Sequence, residues 1–223
     1  MTTPYGAQIP ADPRPQRPAR VRVGRLLVTA LIATLFLACG LVMFAIISTA
    51  TGVTGVLVGV ALAAMPVFVV VPSILWLDRF EAEPTALLLF AFGWGAVVAT
   101  LVAALVNSTS IAGLKASGGD VTTAAVVIAP LVEETCKGLA VLLVFLYRRR
   151  EFDGVVDGIV YAGMAGIGFA FTENVLYLGR ALADSGTTGL AVTLVLRCIF
   201  GPFAHPLFTM ATGVGFGVAV TTR

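Results

Sequence analysis

Glu133, Glu134, Lys137 and Glu173 lie deep inside long apolar runs, and His205, the only histidine of the chain, lies inside another. An ionised side chain near the centre of a bilayer costs ~3 kcal/mol or more, so such residues face the protein interior and usually mark function. Lys137 follows Glu133 by four residues and Glu134 by three, which puts it within reach of either carboxylate on one helical face. The two glutamates themselves point about 100° apart, so one can pair with Lys137 while the other faces a water-containing cavity. A carboxylate desolvated among apolar helices can take a proton from water and return it to a leaving group.

The elements that must position these groups follow from composition. Of 223 residues, 58% are hydrophobic and 12% charged, and the mean hydropathy is +1.00. A soluble domain would carry about 25% charged residues, so the bilayer is the solvent this composition suits. The expected fold is all-α, a polytopic transmembrane bundle of about six spanning helices, with a seventh if the last run splits at Pro202 and Pro206. The apolar runs fall at about 26–47, 53–77, 85–106, 121–146, 155–179 and 193–220, each long enough to cross ~30 Å as a helix. We expect one proline-distorted helix from near Arg197, with Arg197 itself at a helix end. Residues 1–25, rich in proline and arginine, read as a disordered basic cytoplasmic tail, and residues 26–223 as the integral-membrane domain. The tail, the Arg148–Arg150 cluster and Arg223 fall on one side if six helices alternate, which the positive-inside rule makes the cytoplasm. A cleaved signal is the competing reading of the first run, but that run continues past Cys39 to Ile47, too long for a signal core.

Depth ties the groups together. Glu133 lies twelve residues into its helix, or ~18 Å; Glu173 is seven residues before Arg180 and His205 eight after Arg197, hence both ~10–12 Å down. With a cytoplasmic amino terminus, all three occupy the outer half of the membrane. Glycine pairs at Gly55/Gly59, Gly154/Gly158 and Gly213/Gly217 suit close helix packing.

The residues 130–137 (PLVEETCK), 157–177 (DGIVYAGMAGIGFAFTENVLY) and 205–209 (HPLFT) together resemble the motifs of PrsW-type intramembrane proteases. Those motifs are a paired EE with a following Lys, an F-x-x-E-N segment and a later His. DRFEAEP at 78–84 matches an acidic loop common in such proteins. The resemblance keeps motif order from about residue 76 to 217, and the family is similar in plan to the CAAX-prenyl and bacteriocin-processing proteases. Members often continue with a further membrane helix past the point where this chain stops, at Arg223. The resemblance implies hydrolysis of a peptide bond in a membrane-anchored protein, such as an anti-sigma factor, at the outer side of the cell membrane. It implies Glu133 or Glu134 as the base, with the other ordered by Lys137. Glu173 and His205 would then hold a metal, Zn2+ or another divalent ion, together with Glu133 or Glu134, or else the oxyanion. Asn174 is the expected oxyanion donor, with a helix–helix hydrogen bond as its alternative.

Other classes are weaker. Cys136 beside the glutamates invites a thiol mechanism, but cysteine is common in apolar helices for packing alone. The three cysteines have no paired spacing for a disulfide framework or zinc ribbon. No glycine motif follows a strand, so no nucleotide is expected, and a net charge of +2 gives no argument for nucleic acid. The main rival is a proton-coupled transporter or channel using the buried Glu, Lys and His as a relay, although no internal repeat of the kind transporters show is visible.

Overall fold

A computed structural model of the chain describes residues 19–222, so most of the expected basic tail, and Arg223, lie outside the described residues. Helix α1 (Ala19–Leu77) already begins at Ala19. A short 3-10 turn (Asp78–Phe80) leads into α2 (Thr85–Gly93), which passes through a π-helical segment (Trp94–Ala99) into α3 (Thr100–Ala116). Helix α4 (Val121–Thr123) runs through a second π segment (Ala124–Ile128) into α5 (Ala129–Tyr147). Helix α6 (Val155–Leu194) ends in a third (Val195–Phe200), and α7 (Ala204–Thr221) closes the order. No strand occurs among the described residues.

The chain divides into two units, one up to Leu35 and one from Phe36 onward. In the first, Leu26, Leu27, Val28 and Leu31 present apolar side chains outward. The second holds everything that follows.

Among the described residues, three stretches are long and apolar enough to cross a membrane: Leu26–Phe80, Thr85–Ala116 and Val155–Thr221. The first and third are 55 and 67 residues long, more than twice the ~20 that one crossing needs. Each folds back on itself at a glycine with positive φ. Gly52 (φ 71°) breaks α1, so that Met43, Ile47, Val56 and Ala63 join Val175 and Leu178 in one buried cluster. A straight helix would hold Met43 and Ala63 ~30 Å apart. Gly186 (φ 62°) breaks α6 in the same way and brings Leu190 and Leu194 back against that cluster. Only glycine takes such a backbone without strain. The stretch 121–147, with Glu133, Glu134 and Lys137 inside it, is less uniformly apolar than these three.

Two expectations are corrected. The run at 155–179 does not end there but continues as helix to the break at Gly186, beyond which a second helical piece reaches Leu194. The last run is not one distorted helix from Arg197: a π segment carries Arg197, the chain turns at Gly201–Phe203, and α7 starts at Ala204. Pro202 has no N–H to donate and its ring crowds the preceding turn, so the helix stops there. Proline acts similarly at Pro130, near the start of α5, where the helix is wide-turned up to Ile128.

Helix α6 is the buried spine, with Val160, Tyr161, Ala162, Ala165, Ile167 and Phe169 all nearly inaccessible. Its contact with α7 depends on missing side chains. A Cβ on Gly158 would stand 2.1 Å from the Gly213 carbonyl oxygen, and one on Gly213 would stand 2.1 Å from that of Gly158. Gly166 lets the Pro206 backbone approach, with a Cβ there only 2.7 Å from the Pro206 Cα. That approach seats His205 over α6.

Candidate active site

Four elements deliver the polar groups: α3, α5, α6 and the π segment with α7. Lys137 is fully buried, and its ammonium donates to Glu134 Oε1 at 2.5 Å and lies 3.1 Å from His205 Nδ1. It also stands 4.3 Å from the centre of the Phe169 ring, whose face attracts a cation. An ammonium has only protons to offer, so His205 Nδ1 is the acceptor and the ring proton belongs on Nε2. His205 Nε2 faces Glu173 Oε2 at 3.0 Å. Arg197 donates to that same Glu173 oxygen at 2.7 Å and, through Nε, to Asn174 Oδ1 at 2.8 Å. Glu134 is held from its other side by the buried Thr209 hydroxyl, 3.0 Å from Oε2. The result is a continuous hydrogen-bonded line from Thr209 through Glu134, Lys137, His205 and Glu173 to Arg197 and Asn174.

Glu133 stands apart from this line. It is half-buried, within Coulombic range of Glu134, Lys137, Glu173 and His205, and its one side-chain hydrogen bond comes from Asn107 Nδ2 at 3.3 Å. Three carboxylates thus face two fixed cations, Lys137 and Arg197. Glu134 has Lys137, Glu173 has Arg197, and Glu133 has neither. Glu133 is thus the site carboxylate with no cation in contact.

The structure therefore brings Glu134, Lys137, Glu173, Asn174 and His205 into direct contact, with Glu133 alongside. Asn174 does engage across helices, through its carbonyl oxygen and Arg197. Arg197, Thr209 and Asn107 were not among the site residues expected from the sequence. Arg197 was assigned to a helix end, whereas the π segment turns it inward. A sequence signal for it existed: Glu173 needs a cation, and Arg197 is the basic residue nearest His205.

The cluster is open on one side. The side chains of Glu134, Arg197 and His205 keep 30%, 27% and 24% of their exposure. Trp94 fixes the opposite wall, its indole N–H donating to the Cys136 carbonyl at 3.0 Å. Thr172 donates to the Ala96 carbonyl at 2.6 Å and ties α6 to the first π segment. The π segments Trp94–Ala99 and Val195–Phe200 border this region, and such segments recur at functional sites because they redirect a side chain without ending the helix.

Such an arrangement defines an all-helical membrane bundle with a charged, hydrogen-bonded site set among its apolar helices. The chain belongs to the PrsW family of intramembrane metalloproteases, whose family profile matches residues 83–223. It is similar to Protease PrsW of Geobacillus kaustophilus, 34% identical over 142 residues covering 64% of this chain and 58% of that protein. It is also similar to Protease PrsW of Clostridioides difficile, 28% identical over 155 residues (68% and 62%), and of Bacillus subtilis, 31% identical over 101 residues (45% and 44%). The chain thus spans less than two thirds of the length of these curated relatives. No solved structure matches.

The family description includes a metal. Among the described residues no group of three or more His, Cys, Asp or Glu side chains is placed to hold one. The expected ligands are otherwise engaged: Lys137 stands against His205 Nδ1, and Glu173 Oε2 accepts from both His205 and Arg197. The set expected from the sequence, Glu173 and His205 with Glu133 or Glu134, is assembled as an ion-pair network and does not fit a divalent ion in this arrangement.

Proposed function

We propose that the chain is an intramembrane peptidase of the cell membrane, with six crossings, that hydrolyses a peptide bond of a membrane-anchored protein. The single observation that carries this reading is the division of labour between the paired glutamates. Glu134 is fully committed to Lys137 and Thr209, while Glu133 is the one carboxylate of the site without a cation in contact.

Glu133 takes a proton from water as the water oxygen attacks the substrate carbonyl carbon. The oxyanion that forms is met by the N–H groups of Asn174 and Arg197, which already face this cluster. The C–N bond then breaks, and the proton held by Glu133 passes to the leaving amine, so the base is regenerated. Lys137, Thr209 and His205 touch no reacting atom in this scheme; they hold Glu134 and Glu173 in place. Substrates fitting the outer-half depth are single-pass proteins, anti-sigma factors among them.

The unbroken line from Lys137 to Arg197 also resembles a proton relay, which favours a proton-coupled transporter as the second reading. Reconstitution of the full chain into liposomes with a single-pass reporter separates the two. The protease reading expects a fragment of defined length on a gel and no proton flux. Wild-type vesicles that move protons and never cut any of a panel of single-pass reporters would overturn it.

A further inference from the structure

Resting on the peptidase reading, we infer that Asn107 is a catalytic residue that holds the hydrolytic water against Glu133. Its amide nitrogen donates to Glu133 Oε1 at 3.3 Å. A carboxylate only accepts, so the amide cannot turn over without setting oxygen against oxygen. That orientation leaves the Asn107 carbonyl oxygen on the other side, and this Oδ1 is buried with no hydrogen-bond partner among the described residues.

A buried carbonyl oxygen left unsatisfied costs about 1–3 kcal/mol. Buried polar atoms in native proteins are otherwise paired or bonded to ordered water. Of the side-chain atoms in this condition, the other is Asp78 Oδ1, remote in sequence near the acidic loop. Asn107 Oδ1 instead belongs to the side chain that already contacts the unpaired carboxylate. A water there donates one hydrogen to Asn107 Oδ1 and the other to Glu133. Its lone pair is thereby aimed away from both acceptors, and the hydrogen facing Glu133 is the one transferred on attack.

Position in the fold agrees with this role. Asn107 sits on α3, which contributes no other member of the hydrogen-bonded line, so it approaches Glu133 from the side that Lys137 does not occupy.

The test measures reporter cleavage by the full-length protein carrying Asn107→Ala, Asn107→Leu, Glu133→Gln, and each Asn107 variant combined with Glu133→Gln. Asn107→Leu keeps the volume while removing both polar groups, which guards against a folding failure of the alanine variant, and thermal unfolding is followed in parallel. The expected result is a fall in kcat of about 10²-fold with KM within about twofold and no further loss in the Glu133→Gln background. An effect confined to KM, or one that multiplies that of Glu133→Gln, overturns the inference while the peptidase reading stands. Failure of the wild type to cut overturns the peptidase reading and the inference with it.

Discussion

Two carboxylate clusters in this chain solve the same electrostatic problem in opposite ways. In the site, Glu134 and Glu173 are neutralised by Lys137 and Arg197, fixed cations brought in by helix packing. At the loop between α1 and α2, Asp78, Glu83 and Asp157 meet without a basic partner among the described residues. Arg79 turns away onto the Trp76 and Phe80 rings. Here the donors are the Tyr161 hydroxyl on Glu83, the Glu83 N–H on Asp78, and the Asp153 and Gly154 N–H groups on Asp157. Burial raises the Glu83 carboxyl from an ordinary 4.5 to about 7, with neighbouring Asp157 and Asp78 adding to the rise and the Tyr161 hydroxyl opposing it. A proton therefore does in the loop what lysine and arginine do in the site. The contrast isolates Glu133, the site carboxylate given neither a cation nor a mate for sharing a proton.

The largest effect on stability should come from removing a cation. Lys137→Met leaves Glu134 and His205 Nδ1 without their shared donor, and breaking a buried pair costs 3–5 kcal/mol. Because Glu134 keeps 30% exposure, we expect about 2–3 kcal/mol, read as a lower unfolding temperature in detergent. A loss within error of zero would mean the ion pair is not what balances this cluster. Next comes Gly158→Ala, whose methyl would collide with the Gly213 carbonyl and force α6 from α7. Overpacking of this kind costs about 1–3 kcal/mol, and a neutral melt would show that the helices do not pack this closely. Thr209→Val removes one donor from Glu134 at about 1 kcal/mol, with cleavage reduced far less than by any change at Glu133.

The smallest effect sharpens the other side of the comparison. Glu83 keeps its proton in the folded chain up to about pH 7, whereas the unfolded chain loses it from about 4.5. Stability from this group is therefore complete below pH 4.5, falls as pH rises to 7, and is level above that. Glu83→Gln should flatten that slope and leave the protein slightly more stable than wild type at pH 8. Unfolding temperatures across pH 4–8 check it; parallel curves for the two proteins would contradict the shared-proton account.

Much of this was legible before any coordinates. Apolar run length and the cost of buried charge select a helical membrane bundle, and they pick out Glu133, Glu134, Lys137, Glu173 and His205. What escaped has a common physical cause. Arg197 sits at the edge of an apolar run, and only the wide turn at Val195–Phe200, with the stop at Pro202, reveals that it points inward. Asn107 and Thr209 are uncharged, so insertion cost does not flag them, and their partners are 26 and 75 residues away. The reversals at Gly52 and Gly186 fall in the gaps between apolar runs, at 48–52 and 180–192, so hydropathy marked them; what it left open is that each turns on a single positive-φ residue. The choice between Glu133 and Glu134 was undecidable for a similar reason, since adjacent glutamates differ only in what other helices bring to them.

That choice is the central claim, and one paired measurement tests it. Glu133→Gln and Glu134→Gln differ by one position and lose the same charge, and both are assayed for cleavage of a single-pass reporter in liposomes alongside their unfolding temperatures. Glu133→Gln should lose at least about 10²-fold in cleavage with its melt unchanged or raised, because it breaks no ion pair. Glu134→Gln should lower the melt, by stranding Lys137, and retain more activity than Glu133→Gln. Cleavage by Glu133→Gln within a few-fold of wild type, with Glu134→Gln inactive and stably folded, would place the base on the other glutamate and contradict the account.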